Sequence, residues 1–162
     1  QVRDIFVFCC FTGLAFSDIH GLGKEHIVED SNGVRWIRKG RQKTKIMCNI
    51  PVLPVAASIL DQYKDVAECT GKLLPVLCNQ RMNSYLKEIA DVCGIHKNLS
   101  THTARHSYAT SICLANGVSM ENVAKMLDHA DTSVTKHYAR VLDQNIFKDM
   151  QKVNSCLSEL AI

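Results

Sequence analysis

The sequence predicts a mixed, mainly helical α+β domain with a small three-stranded antiparallel sheet, and three observations carry that prediction. Apolar residues recur every three or four positions both before Gly13 and after Pro54, the spacing of helices with one buried face. Between Ile27 and Ile50 the period shortens to that of strands, broken by turn-forming residues. With 162 residues, 46% of them hydrophobic, the chain can bury one full core, so a single domain spanning 1–162 is the simplest organisation.

Taken in order, Val2 to Phe11 reads as a buried helix stopped by Gly13, and Ser17 to Leu22 as a short second one. Three antiparallel strands follow, with turns at Ser31-Asn32-Gly33 and Lys39-Gly40-Arg41-Gln42. Past Pro51 and Pro54 the helical period returns. Val55, Ile59 and Leu60 share one face there, and Met82, Leu86, Ile89 and Ala90 share another within Asn79 to Cys93. Ser100 and Thr101 offer a cap for a helix running to Asn116-Gly117, with Ala104, Tyr108, Ile112 and Ala115 facing the core. Ser119 caps the next helix, ending near Asp128, and Thr132 to Arg140 supplies another. That pair has the spacing of a helix-turn-helix, with Lys136, His137 and Arg140 on the second helix's polar face. In the tail, 143–162, Ile146, Met150, Val153, Leu157 and Leu160 form a single apolar stripe that must be buried somewhere.

Composition narrows the function. No apolar run approaches the ~20 residues of a membrane span and no signal peptide appears, so a cytoplasmic protein without a membrane partner is expected. Gln1 in place of Met, with a helix already under way, reads as a fragment of a longer protein. The eight cysteines lack paired metal-ligand spacing and are expected as free, mostly buried thiols, with no metal site. A cysteine- or metal-dependent hydrolase is correspondingly disfavoured. Net charge is only +3, but Val34 to Leu60 contains no acidic residue, and Arg35, Arg38, Lys39, Arg41, Lys43 and Lys45 crowd onto the second and third strands. Such a block is either a solvated hairpin or a source of phosphate contacts, which makes Arg35, Lys39 and Lys45 candidate DNA-binding residues.

The chemistry sits further on. His102 and Arg105, three apart on one helix, place an imidazole beside a permanent cation on a face away from the core. Leu127-Asp128-His129 follows, and Tyr138 comes nine residues after His129. This order, His102-Thr103-Ala104-Arg105-His106, then His129, then a tyrosine, resembles the catalytic domain of tyrosine site-specific recombinases. The likeness runs from Phe11-Thr12-Gly13-Leu14 through Tyr138, and is nearest to integrases of mobile elements in Bacteroides-type bacteria.

The resemblance implies a DNA strand cleavage and rejoining reaction that needs neither metal nor other cofactor. Tyr138 would attack the phosphorus to give a 3′-phosphotyrosyl ester, His102 would take its proton, and Lys43 would protonate the departing 5′-oxygen. Arg105, His102 and His129 would grip the non-bridging oxygens as charge builds. Asp18 would buttress His102 or Arg105. The family's first motif ends in arginine where this chain has Ala15. Arg38 or Arg41, on the basic hairpin, are the substitutes expected for it. By the same likeness the partners are double-stranded DNA, three further copies in a homo-tetramer on that DNA, and accessory DNA-bending proteins. The tail would dock on a neighbour or on its own domain, and an N-terminal DNA-binding domain would precede Gln1. The rival reading is a DNA-binding module without chemistry, either a decayed recombinase or a helix-turn-helix regulator.

Overall fold

The computed structural model describes residues 1–40, 47–128 and 143–158. α1 (Val2–Thr12) is closed by Gly13, whose φ of 67° lets its N–H reach Cys9 O. α2 (Phe16–His20) and a 3₁₀ turn at Lys24–His26 lead into the sheet. β1 (Ile27–Glu29), β2 (Arg35–Gly40) and β3 (Met47–Pro51) pair antiparallel in chain order. Then come α3 (Pro54–Gln62), α4 (Lys64–Thr70), α5 (Asn79–Val92), α6 (Thr101–Ser107), a π-helical segment Tyr108–Cys113, a 3₁₀ turn Leu114–Asn116, α7 (Met120–Leu127) and α8 (Asp143–Ser158).

The sheet's register follows from its apolar row. Ile27 faces Ile37, which faces Ile50 across the next strand, and Ile37 and Ile50 are fully buried. The β1–β2 turn forms where expected. Asp30 Oδ1 accepts from the N–H groups of Asn32 and Val34, Gly33 takes φ 75°, and Trp36 Nε1 donates to Asp30 Oδ2 at 2.9 Å. That side-chain-capped turn pins the hairpin's register.

α1 is the hub, packing against α3, α5, α6 and the π-helical segment, while α7 packs against β3. Ile5, Phe8 and Cys9 fill its inner face. At its open end a buried carboxylate is neutralised locally: Tyr63 Oη donates to Asp4 Oδ2 at 2.8 Å and Arg3 donates to Oδ1. Burial alone would raise the Asp4 carboxyl, but the bonds from Tyr63 and Arg3 outweigh it and hold the group below its ordinary value. Burial and that carboxylate push the Tyr63 hydroxyl up to about 12.

Several expectations are corrected. Lys39 and Gly40 are the end of β2, not a turn, and of the basic block only Arg35, Arg38 and Lys39 fall on a described strand. Val55 is exposed, and Ala56 takes its place beside Ile59 and Leu60. Among the seven described cysteines, Cys69, Cys78 and Cys93 are exposed, so the thiols are not mostly buried. The helix from Thr101 is not uniform. Its π turn inserts an extra residue per turn, so the buried face passes from Ala104 and Tyr108 to Ala109 and Cys113, leaving Ile112 and Ala115 only half-buried. Ser100 does cap α6, its Oγ accepting from Thr103 N at 3.1 Å. None of the described helices is long and apolar enough to cross a membrane.

Candidate active site

Two segments distant in sequence meet where α1 ends. Arg105, on α6, is buried, with 6% of its surface exposed. Its Nη1 donates to Gly13 O at 2.7 Å and its Nη2 to Leu127 O. Both acceptors are helix-terminal carbonyls, one at the end of α1 and one at the end of α7, the positions a helix leaves without an internal partner. Guanidinium charge thereby meets the negative ends of two helices, and the plane of the fork is fixed.

Gly13 is demanded twice over at this junction. Beyond its left-handed φ, a Cβ there would lie 2.4 Å from Tyr108 Cδ1 and 2.8 Å from Leu127 Cδ2. Tyr108 closes against the glycine with its own hydroxyl donating to Met126 Sδ at 3.1 Å, and burial first, then the neighbouring Cys113, pushes that hydroxyl above its ordinary value. The motif Thr12-Gly13-Leu14 is therefore a packing device under Arg105, with Thr12 Oγ1 returned to Phe8 O at 2.8 Å.

His102 stands one turn before Arg105 on α6 and is exposed. Its Nε2 lies 3.0 Å from Nε2 of His106, the rings edge to face at 87° with centroids 4.6 Å apart. Desolvation, then the charges of His102 and Arg105, hold His106 below the ordinary imidazole value. Asp18, on α2, is 1% exposed. Ala15, where the arginine is missing, is the residue before α2 and half-buried.

The sheet contributes cations to opposite sides. Lys39 points to the core face with Ile37, 7% exposed, and its Nζ donates to Gly21 O at 2.6 Å and contacts His26 Nε2 at 3.0 Å. That placement holds the ammonium in position, unlike the solvated lysine expected in a basic block. Arg38 alternates to the exposed face, near enough to Asp30 to help lower that carboxyl, behind the hydrogen bonds from Trp36, Val34 and Asn32. Arg35 pairs with Asp61 at 3.2 Å. The structure therefore brings together Arg105, His102 and the α1–α2 junction that precedes Asp18. It does not bring Arg35 or Arg38 to them by any contact described. Tyr138, His129, Lys43, Arg41 and Lys45, and the second helix of the expected helix-turn-helix, lie outside the described residues.

Sequence reading missed two partners, His26 and His106. His26 has no local signal, since its contact to Lys39 crosses a strand pair. His106 did carry one: it lies four residues after His102, one helical turn on. Among the described residues no group of three or more His, Cys, Asp or Glu is arranged to hold a metal ion.

Comparisons with known proteins give this geometry its context. Residues 2–145 match the model of the phage integrase family. A tyrosine recombinase XerD of Halalkalibacterium halodurans is 34% identical over 144 residues, covering 80% of this chain and 46% of that protein. The XerD of Listeria innocua is 31% identical over 156 residues, covering 87% and 50%. The chain thus spans about half the length of the curated relatives it matches. Among solved structures, XerH recombinase bound to its difH substrate after cleavage superposes with a TM-score of 0.71 at 18% identity, covering 92% of this chain and 45% of that one. The Tn1549 transposon integrase with circular-intermediate DNA gives 0.68 at 16%, covering 92% and 57%. At such identity these likenesses speak for the fold, and the family match over residues 2–145 supplies the rest: this chain, with Arg105 seated on a glycine junction and His102 beside it, belongs to the phage integrase family.

Proposed function

We propose that this chain is the catalytic domain, residues 1–162, of a site-specific DNA recombinase or integrase that cuts and rejoins strands through a 3′-phosphotyrosyl intermediate. The observation that carries the reading is Arg105, a buried guanidinium fixed by two helix-terminal carbonyls beside the exposed His102. A phosphodiester resists attack because its oxygens are negative and its leaving group is a poor alkoxide. A preorganised cation with an adjacent imidazole answers the first difficulty without a metal.

Tyr138 is the nucleophile in this reading. Two other tyrosines are engaged elsewhere, Tyr63 on Asp4 and Tyr108 on Met126, each with its hydroxyl pushed upward. His102 takes the phenolic proton, His129 adds a donor, Asp18 supports the cluster from α2, and the tyrosyl ester conserves bond energy for religation. The general acid comes from the β2–β3 hairpin. Lys43 is the residue indicated by the family likeness. Lys39 competes with it, because its ammonium is already held by Gly21 and His26 and one N–H is left for a departing oxygen. For the cation missing at Ala15, Arg41 is the better substitute, since Arg38 projects from the face opposite Lys39.

Double-stranded DNA is the partner, contacted by Arg35 and Lys45 among others, in a homo-tetramer with accessory DNA-bending proteins, in the cytoplasm. Within the family we place the chain with integrases of mobile elements in Bacteroides-type bacteria, on the motif likeness that the sequence carries. The test is covalent capture on a nicked DNA substrate. Wild type should form a protein–DNA adduct, while Tyr138→Phe should form none yet retain DNA in a gel shift, since affinity resides in phosphate contacts. An adduct in Tyr138→Phe overturns the nucleophile, and salt-sensitive binding without any adduct in wild type favours the non-catalytic reading.

A further inference from the structure

The facing nitrogens of His102 and His106 restrict each other. At 3.0 Å the two Nε2 atoms are within hydrogen-bond distance, and a hydrogen bond needs one donor and one acceptor, so a single proton lies between them. Two N–H groups aimed at each other would clash and carry like charge beside Arg105; two lone pairs would repel. One histidine of the pair is therefore always committed to the other through Nε2. His102 makes no hydrogen bond through its Nδ1 to any described residue, which leaves that nitrogen as the one able to meet a substrate.

Which ring holds the shared proton is decided by their surroundings. His106 is partly desolvated and lies near both Arg105 and His102, so it resists taking a second proton and is the better-suited neutral acceptor. His102 is exposed and lies one turn nearer the α6 N-terminus.

We propose that His106 is a positioning residue for strand cleavage: it accepts the Nε2–H of His102, which leaves the Nδ1 of His102 unprotonated and facing the reacting groups. This rests on the recombinase reading above and deepens it. When Tyr138 attacks, its O–H bond breaks and the proton passes to Nδ1 of His102, while the phenolic oxygen forms the bond to phosphorus. The P–O5′ bond breaks and the 5′-oxygen leaves with a proton from the hairpin lysine. The imidazolium formed on His102 keeps its Nε2–H directed at His106, as a catalytic histidine is steadied by the group behind it. Rejoining runs the same transfers backwards, and the shared proton never leaves the pair.

The experiment reads the tautomer and the rate together. In the ¹⁵N-labelled chain, long-range ¹H–¹⁵N spectra near neutral pH should show His102 protonated at Nε2 and bare at Nδ1. His106→Ala should convert this to a mixture of both tautomers, and His106→Gln, whose side-chain oxygen can accept from the same direction, should restore it. Adduct formation on nicked DNA should fall ~10- to 100-fold in His106→Ala, the scale on which losing the group that orients a functional histidine is felt, and recover most of that loss in His106→Gln. A His102 spectrum unchanged by His106→Ala, a wild-type His102 protonated at Nδ1, or a His106→Gln variant as slow as His106→Ala overturns the role of His106 while leaving the recombinase reading intact. Absence of adduct in the wild type overturns the recombinase reading itself, and the role with it.

Discussion

Two regions of this molecule present cations, and they do so in opposite ways. Arg105 rises from the helical core, with its fork bound to the ends of α1 and α7 and a glycine beneath it that no other residue can replace without strain. The β2–β3 hairpin instead alternates its cations across a thin sheet, Lys39 turned inward onto Gly21 and His26, Arg38 outward beside Asp30. A helical junction can hold one side chain from three sides, whereas a strand can only choose between two faces. In the proposed reaction, the difference would assign the phosphate grip to the folded core and proton delivery to an element that is set by alternation.

The sharpest way to test that division is the leaving group. Removing the general acid should slow cleavage of an ordinary phosphodiester by ~10²- to 10⁴-fold, and far less when the 5′-bridging atom is sulfur, which departs without a proton. Lys39→Ala and Lys43→Ala should be compared on both substrates, with Lys45→Ala as control. One of the two is expected to be rescued by sulfur, and the preorganised ammonium of Lys39 favours it. If neither is rescued, the hairpin does not supply the proton and the comparison fails. Arg41→Ala on the same substrates should show a loss that sulfur does not repair, because a phosphate-gripping cation is needed with either leaving atom.

On the other side, Arg105→Lys should lose ~10²- to 10³-fold in cleavage, the usual cost of one preorganised donor. Lysine keeps the charge but not the fork, so it cannot serve Gly13 O, Leu127 O and a phosphate together. Near-wild-type cleavage by Arg105→Lys would show that charge alone suffices and that the two-carbonyl clamp is incidental.

What could be read from the sequence follows the same division. The order of the main elements, the three-stranded sheet, the Ser100 cap and the Gly13 stop were legible, because periodicity and capping are local properties, while the short α4 (Lys64–Thr70) was not read. His102 and Arg105 were legible as neighbours one helical turn apart, but the burial of Arg105 was not: the spacing placed it on a face away from the core, and its bonds to Gly13 O and Leu127 O take it inside. The π turn after Ser107 was not, since the buried face passes to Ala109 and Cys113 through packing against α1, with no mark in composition. Lys39 was read as a surface cation because a lysine in a basic block is usually solvated, and only its cross-sheet contact to His26 and its reach to Gly21 take it inside. Val55 was misjudged by one position, the ordinary error when a helix start at Pro54 is known but its rotation is not.

Gly13→Ala breaks the junction without touching a charged group. The left-handed φ costs about 1 to 2 kcal/mol for a residue with a Cβ, and overpacking against Tyr108 adds roughly 1 to 3 kcal/mol. Thermal unfolding should show a drop in Tm of several degrees or more, and cleavage measured well below that temperature should fall as Arg105 loses its seat. A Tm unchanged within a degree would mean the α1–α2 junction relaxes freely and does not hold the guanidinium.

The smallest expected effect on the folded monomer concerns α8, which belongs to neither region. Phe147, Met150 and Val153 are 64%, 58% and 45% exposed, an apolar face that no part of this chain covers among the described residues. Such a face at helical spacing is what a neighbouring subunit would bury. Replacing Met150 and Val153 together by serine removes apolar surface that the monomer does not bury, so Tm should move by less than about 2 °C, in keeping with the ~0.5 kcal/mol scale of surface substitutions. Self-association on DNA, followed by sedimentation, should weaken in the same variant. A Tm lowered by many degrees with sedimentation unchanged would instead mean that the helix packs on its own domain, and the tail would then join the helical core as a third structural support and not as a link between subunits.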